Sequence, residues 1–434
     1  MIKNIIKNRE FQKYFLNTFW LFLEKLFRLV VGLLVMIWLT RYLGPKDFGT
    51  YSYTLSFVML FRVLITLGLD NIVVRDLALN KSKVNEILGT SFILRAISSV
   101  VGILIVLLAS NLFSHSRLEE NLICIFSLAY IFQNFNVIDL YFQSQVKSKY
   151  VVIVNSISMA ITSIMKIYLL LNNGSLSEFT FVYVVDSIIV ALGLLYLYKQ
   201  QQNSILLWKF NYSIAVKMLK DSSPLILSGS LTLVYTRVDQ IMISNLLNST
   251  EVGYYAAAVK LSEFWYFLPM LVVNSIFPKI IEYKQVSLKL YYNFLENLHK
   301  ILYISSCIIV LLIFFNANSI IAILYGDSYL DSVIVLKIHI ITLIFVALAA
   351  ASSRWIYIEN LQYTAIYRVL FAAILNVVLN YLFIPKYGIK AAAIATLMSQ
   401  ILSSYLIYGL ISKTKYIFWV QTRTLLFINL FKRM

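Results

Sequence analysis

Apolar stretches about one membrane thickness long recur from end to end of the chain, divided by short polar passages. Near the start one such stretch ends in WLTRYLGPKDFGTYSY (Trp38 to Tyr53), and the next begins at once. Far downstream SNLLNSTEVGYYAAAV (Ser244 to Val259) joins two more in the same way. An apolar run of 18 residues or more is long enough to cross a roughly 30 Å hydrocarbon core as a helix. The two-residue alternation of a membrane β-barrel strand is absent. The pattern therefore predicts an all-α polytopic membrane protein with about twelve transmembrane helices. They fall at 15–40, 48–69, 87–113, 121–142, 150–171 and 179–197, then at 223–247, 253–281, 300–323, 332–353, 363–384 and 391–411. A further stretch from Tyr416 is interrupted by Gln421, Thr422, Arg423 and Thr424 and reads as an amphipathic interfacial tail.

The two quoted passages predict tight turns. Gly44 and Pro45 end one helix, and Asp47 is placed to cap the next. Aligning Gly49 with Gly253 pairs Leu43 with Leu247, Asp47 with Glu251 and Tyr51 with Tyr255, at an offset near half the chain. The expected organisation is thus two six-helix bundles, 1–197 and 223–412, related by a parallel pseudo-repeat. The polar segment 198–222 is the hinge between them, and 413–434 is the tail.

Composition agrees with burial in lipid. Of 434 residues 60% are hydrophobic and 13% charged, with a mean hydropathy of +0.80; a soluble chain carries roughly a quarter charged residues. The formal charge of +17 follows from topology. Most basic residues outside the spans lie in the termini and in connections on one side, including Lys83, Lys147, Lys209, Lys284 and Lys413. The other side holds Arg41, Lys46, Arg117, Lys386 and Lys390. The positive-inside rule then places both termini in the cytoplasm, and nucleic acid is not needed to explain the charge. The opening MIKNIIKNREFQKYF is too polar for a cleaved signal peptide. Cys124 and Cys307 sit within apolar runs, and His115, His299 and His339 are scattered. No disulfide, metal site or cofactor is expected.

Charges inside the spans are the candidate chemistry, because each costs roughly 2.5–3.5 kcal/mol near the midplane and is retained for a reason. Cations (Lys25, Arg28, Arg62, Arg95, Lys166, Arg237, Lys260, Lys300, Lys337, Arg368) outnumber acids (Glu24, Asp139, Asp186, Asp239, Glu263). Lys300, Lys337 and Arg368 lie near helix ends, where long stems snorkel to water. Arg28, Arg62, Arg237 and Lys260 stand on helices equivalent under the repeat, and are expected to line a central cationic cavity between the bundles. Arginine grips phosphate oxygens through two parallel hydrogen bonds and stays charged when buried. Glu24, four residues from Arg28, is a candidate ion-pair partner; Asp239 and Glu263 are further candidate coupling or ion-pair acids. Asn17, Asn376, Asn380, Gln400 and Ser403 suit sugar hydroxyls or helix-to-helix hydrogen bonds.

Five stretches carry a family resemblance: RYLGPKDFGTYSY, LGLDNIVVRDLA (Leu67 to Ala78), DLYFQSQVKSKY (Asp139 to Tyr150), YTRVDQIMISNLLNSTEVGYYAAAVKLSEFWYFLP (Tyr235 to Pro269) and IPKYGIKAAAIATLMSQ (Ile384 to Gln400). In this order they resemble the Wzx-type O-antigen and polysaccharide flippases, the oligosaccharidyl-lipid group of the multidrug/oligosaccharidyl-lipid/polysaccharide exporter superfamily. The resemblance implies a transporter, not an enzyme, that moves undecaprenyl-diphosphate-linked oligosaccharide from the cytoplasmic to the periplasmic leaflet of a bacterial inner membrane by alternating access. The implied partners are that lipid-linked oligosaccharide, the bilayer, and a polymerase or chain-length regulator. The alternative is a multidrug-type exporter of the same fold, for which embedded carboxylates matter more. A polysaccharide polymerase is disfavoured, since its large periplasmic catalytic loop is missing.

Overall fold

The structure, a computed structural model, describes residues 9–426 of the 434-residue chain. Its helices, in chain order, are α1 (Arg9–Leu60), α2 (Arg62–Thr66), α3 (Asp70–Leu79), α4 (Val84–Phe113), α5 (Arg117–Gln133), α6 (Val137–Ser144), α7 (Ser148–Leu171) and α8 (Leu176–Gln200). There follow α9 (Tyr212–Leu246), α10 (Ser249–Phe264), α11 (Phe267–Val286), α12 (Leu288–Tyr325), α13 (Ser332–His339) and α14 (Thr342–Ile358). The last are α15 (Thr364–Tyr387), α16 (Ile389–Ile401), α17 (Ile407–Leu410) and α18 (Lys415–Leu425). No strand occurs among the described residues.

Ten helical stretches among the described residues are long and apolar enough to cross a bilayer, against the twelve read from hydropathy. The first expected helix and most of the second lie within one 52-residue element, α1, which bends at Gly44 (φ 69°, ψ 173°) just before Pro45. Another expected helix lies within α9, where Arg237, Asp239 and Gln240 dilute the apolar run. Helix breaks also appear where hydropathy gives none: at Phe61, between α1 and α2, and at the 3-10 turn Asn134–Asn136, between α5 and α6.

The chain forms two compact units. The first comprises Met1–Tyr42 and Thr54–Ser230; the second comprises Leu43–Tyr53 and Leu231–Met434. The turn passage after Tyr42 thus belongs to the second unit. In the first, Val73 and Leu77 of α3, Leu88 of α4, Ile138 and Phe142 of α6, and Leu194 and Tyr198 of α8 make one buried core. In the second, Val273 of α11, Leu295 and Leu302 of α12, Ala347 and Ala351 of α14 and Ile417 of α18 do the same.

The segment read as a hinge is strapped to the first unit. Lys209 donates its backbone N–H to the Asn85 carbonyl at 3.1 Å. Asn211 donates its backbone N–H to Thr90 Oγ1 at 2.9 Å and its side-chain amide to Glu86 Oε2 at 2.6 Å. Trp208 packs on Phe92, ring centroids 5.3 Å apart, and donates to the Tyr198 hydroxyl at 3.1 Å. Gly89 makes this approach possible, since a Cβ there would fall 2.6 Å from the Lys209 backbone nitrogen. Further along, Arg75 of α3 bonds Asp221 of α9 at 2.6 Å and holds that carboxyl below its usual range.

The described part of the tail is one short helix, α18, which is not among the stretches long and apolar enough to cross a bilayer. Gln421, Thr422, Arg423 and Thr424 do not interrupt α18. Gln421 is buried and donates to Ser352 Oγ at 2.8 Å, Thr422 and Thr424 bond back to the carbonyls of Phe418 and Val420, and Arg423 lies 3.7 Å from Glu296. Each of the four residues thus has a partner within the second unit, although the Gln421 Oε1 atom is buried without one, which lowers the penalty that polarity implied. Residues 427–434 lie outside the described part.

Candidate functional site

A pocket of about 320 Å³ opens inside the first unit, at the small end of the about 300–1,000 Å³ range of ligand clefts. Its walls are polar. Glu24 and Arg28 of α1 reach it, and Arg62 enters from the first residue of α2. Gln133 closes α5, Asn136 stands in the 3-10 turn, and Asp139 lies in the first turn of α6. Asn155 of α7 and Tyr183, Asp186 and Ser187 of α8 complete it.

The breaks at Phe61 and at Asn134–Asn136 border this pocket. At Phe61 the chain turns before α2, and the Val58 carbonyl accepts both the Phe61 N–H at 3.3 Å and the Tyr130 hydroxyl at 3.3 Å. At the second break, Asn134 is buried and donates to Ser99 Oγ at 2.9 Å. Non-helical backbone at membrane depth persists only where protein buries it or a wet cavity lines it. The breaks therefore serve the pocket: they place Arg62 and Asn136 on its wall.

Of the seven expected site residues, the structure brings Glu24, Arg28 and Arg62 together here. Arg28 Nε sits 3.0 Å from Glu24 Oε1, as the four-residue spacing predicts. Arg62 makes no hydrogen bond or ion pair among the described residues, so its guanidinium is available to a ligand. The pocket is not simply cationic: the carboxyls of Glu24, Asp139 and Asp186 face two guanidiniums. Asp139 and Asp186 are visible in the sequence as costly embedded acids, but nothing local ties them to the arginines. Lys166 lies within electrostatic reach of Asp186 from α7.

The other expected residues belong to the second unit. Arg237 lies 3.9 Å from Glu263, both half-buried. Lys260 is half-buried on α10, about one turn before Glu263. Asp239 is 3% exposed. It accepts from the Tyr255 hydroxyl at 2.6 Å, from Asn380 Nδ2 at 2.6 Å and from the Thr396 hydroxyl. Asn376 and Asn380 are fully buried and bonded to each other at 3.1 Å, while Gln400 accepts from Tyr235 and donates to Ser404 at 2.7 Å. These amides hold helices together. The side chain of Asn17 lies outside the described residues. Arg368 does not snorkel: it donates to the Ser403 carbonyl at 2.6 Å, inside the π-helical stretch Leu402–Leu406, and stacks over Tyr408 at 4.5 Å. No three His, Cys, Asp or Glu side chains among the described residues gather to hold a metal ion.

A family model described as polysaccharide biosynthesis protein matches residues 15–284. No curated protein sequence matches the chain. Among solved structures, the lipid II flippase MurJ in an inward closed conformation superposes with a TM-score of 0.77 at 17% identity, over 95% of this chain and 91% of that one. An inward-facing multidrug resistance MATE transporter of the MOP superfamily gives 0.69 at 13% identity, over 93% and 95%. A MOP superfamily transporter from Pyrococcus furiosus, described by the reverse polarity of its binding pocket, gives 0.62 at 13% identity, over 97% and 96%. At these identities the likeness is one of fold, the fold that this chain shares with those three transporters.

Proposed function

The chain belongs to the polysaccharide biosynthesis protein family, and from that membership we propose that it is a flippase for undecaprenyl-diphosphate-linked oligosaccharide. It carries the unit from the cytoplasmic to the periplasmic leaflet of a bacterial inner membrane, with both termini in the cytoplasm, in the assembly of O-antigen or a related surface polysaccharide. The observation that carries this reading is the polar pocket built at two helix breaks, with Arg28 and Arg62 on its wall. A diphosphate is the ligand those guanidiniums suit, through charge-assisted and often bidentate hydrogen bonds. The pocket lowers the desolvation barrier for a sugar diphosphate by replacing water with fixed polar groups, and no covalent bond changes. Alternating access exposes the head group first to one face and then to the other.

In the second unit, Arg237 and Lys260 are proposed as further phosphate contacts, with Glu263 as counter-charge to Arg237. Asp239 is proposed as a coupling acid, because three donors from α10, α15 and α16 converge on it. The test is reconstitution of the purified chain in liposomes holding a fluorescent lipid-linked oligosaccharide, with transfer between leaflets as the readout. Transfer indistinguishable from protein-free liposomes rejects the reading. A multidrug-type exporter is the second reading, favoured by the carboxyls of Asp139 and Asp186; uptake of a fluorescent organic cation into the same vesicles, without lipid transfer, selects it.

A further inference from the structure

The pocket of the first unit holds more chemistry than a diphosphate needs. Arg28 is committed to Glu24, which leaves Arg62 as the wall's uncommitted cation. Elsewhere the wall is carboxylate, amide and phenol. Asp139 accepts from Gln143 Nε2 at 2.9 Å through one oxygen, and Asp186 accepts from the Ser158 hydroxyl at 2.6 Å through one oxygen. In each the second carboxylate oxygen has no partner among the described residues, and neither is sealed from the pocket. The side-chain amides of Asn136 and Asn155 make no hydrogen bond there either. Tyr183 also lines the wall, its ring held edge-on against Phe126 at 5.4 Å.

Half-satisfied carboxylates beside free amides match a ligand rich in hydroxyl groups. A hydroxyl donating to a carboxylate makes a charge-assisted bond, and the amides supply both donor and acceptor for its neighbours. A second anion at that wall meets Asp139 and Asp186 at short range and is repelled. Resting on the flippase reading above, we propose that this wall is a sugar subsite for a neutral or amino-bearing ring next to the diphosphate, and that Asp139 and Asp186 select against a ring carrying a carboxylate. A site built to hydrogen-bond hydroxyls discriminates strongly, because a mismatched ring leaves its polar groups unpaired.

The experiment uses the full chain in nanodiscs and three probes: undecaprenyl diphosphate alone, the same lipid bearing N-acetylglucosamine, and the same lipid bearing glucuronic acid. Binding of each is measured by native mass spectrometry, with thermal unfolding as the check on folding. The wild type binds the N-acetylglucosamine lipid about tenfold more tightly than either other probe, the effect of about one charge-assisted hydrogen bond. The double variant Asp139→Asn, Asp186→Asn binds the bare lipid no less tightly than the wild type, because two anions beside the diphosphate are gone, and loses the preference between the two sugars. Should that variant not fold, Asn155→Ala carries the test, lowering only the gain from N-acetylglucosamine. Equal wild-type binding of the two sugar lipids overturns the inference, as does an undiminished preference in the variants. Lost transport with unchanged binding of all three probes makes the two acids coupling groups and overturns it too. A wild type that ignores the bare lipid yet prefers the neutral sugar refutes the diphosphate reading and leaves the sugar subsite standing.

Discussion

Gly49 and Gly253 lie backbone against backbone within the second unit. A Cβ on Gly49 would fall 1.7 Å from the Ser249 carbonyl oxygen and 2.8 Å from the Gly253 nitrogen; one on Gly253 would fall 1.9 Å from the Pro45 carbonyl oxygen. Two passages far apart in sequence thus meet at the residues that align between them. No side chain at either place can be accommodated, because the opposing atoms are backbone and cannot turn aside.

The first prediction follows from that contact. Gly49→Ala and Gly253→Ala each destabilise the protein by at least about 1–3 kcal/mol, the usual range for overpacking. The expected readout is lower abundance in the membrane and a lower unfolding temperature, with no change in substrate preference for whatever protein folds. A Gly49→Ala protein as stable as the wild type contradicts the contact.

Arg28 and Arg62 make different forecasts from one pocket. Arg62→Ala removes the uncommitted guanidinium and should weaken diphosphate-lipid binding by about 1.5–3 kcal/mol at normal abundance. Arg62→Lys should recover part of it, restoring charge without the forked geometry. Arg28 is tied to Glu24 at 3.0 Å. If it acts on phosphate, the double variant Glu24→Gln, Arg28→Gln stays inactive in a surface-polysaccharide assay; a fully active double variant reduces Arg28 to a counter-charge.

Asp239→Ala leaves the hydroxyls of Tyr255 and Thr396 and the amide of Asn380 without their acceptor. The expected cost is about 1–3 kcal/mol for each buried donor left unpaired, read as a lower unfolding temperature in detergent. Asp239→Asn keeps an acceptor and should be milder in stability. If Asp239 also couples transport to an ion, Asp239→Asn abolishes transfer while the fold survives; unchanged transfer removes the coupling role.

The strap makes a prediction about local opening. Asn211→Ala loses the bond to Glu86 Oε2 and should raise hydrogen exchange across 198–222 and along the first turns of α4, without changing exchange in α12 or α14. Exchange identical to the wild type would mean that the segment is held by Trp208 and by the backbone bonds of Lys209 and Asn211, without help from the Asn211 side chain.

Topology is open to direct measurement. Single cysteines at Lys209 and Lys413 should react with a membrane-impermeant thiol reagent only after the inner face is exposed, and cysteines at Lys46 and Asn173 from outside. Labelling of Lys209→Cys in intact cells overturns the orientation given by the positive-inside rule.

The sequence by itself determined whatever depends on neighbours within one helix. Hydropathy located the membrane-crossing runs, because lipid demands an apolar surface along each span. Gly44 marked the bend in α1, since its φ of 69° is costly for a residue with a Cβ. The spacing of Glu24 and Arg28 marked an ion pair on one helix face. Tertiary structure decided the rest. The break at Phe61 leaves no signature in its own residues, because the Val58 carbonyl at the break is shared between the Phe61 N–H and the hydroxyl of Tyr130 on α5. Asn376 and Asn380 look like free polar groups until Asp239, on another helix, is set beside them. Asp139 and Asp186 become part of a site only when α6 and α8 are laid next to α1 and α2. A membrane span announces itself because its solvent acts on every residue of it, whereas a polar pocket inside the bundle is assembled from single residues of many helices, each tolerable only in the presence of the others.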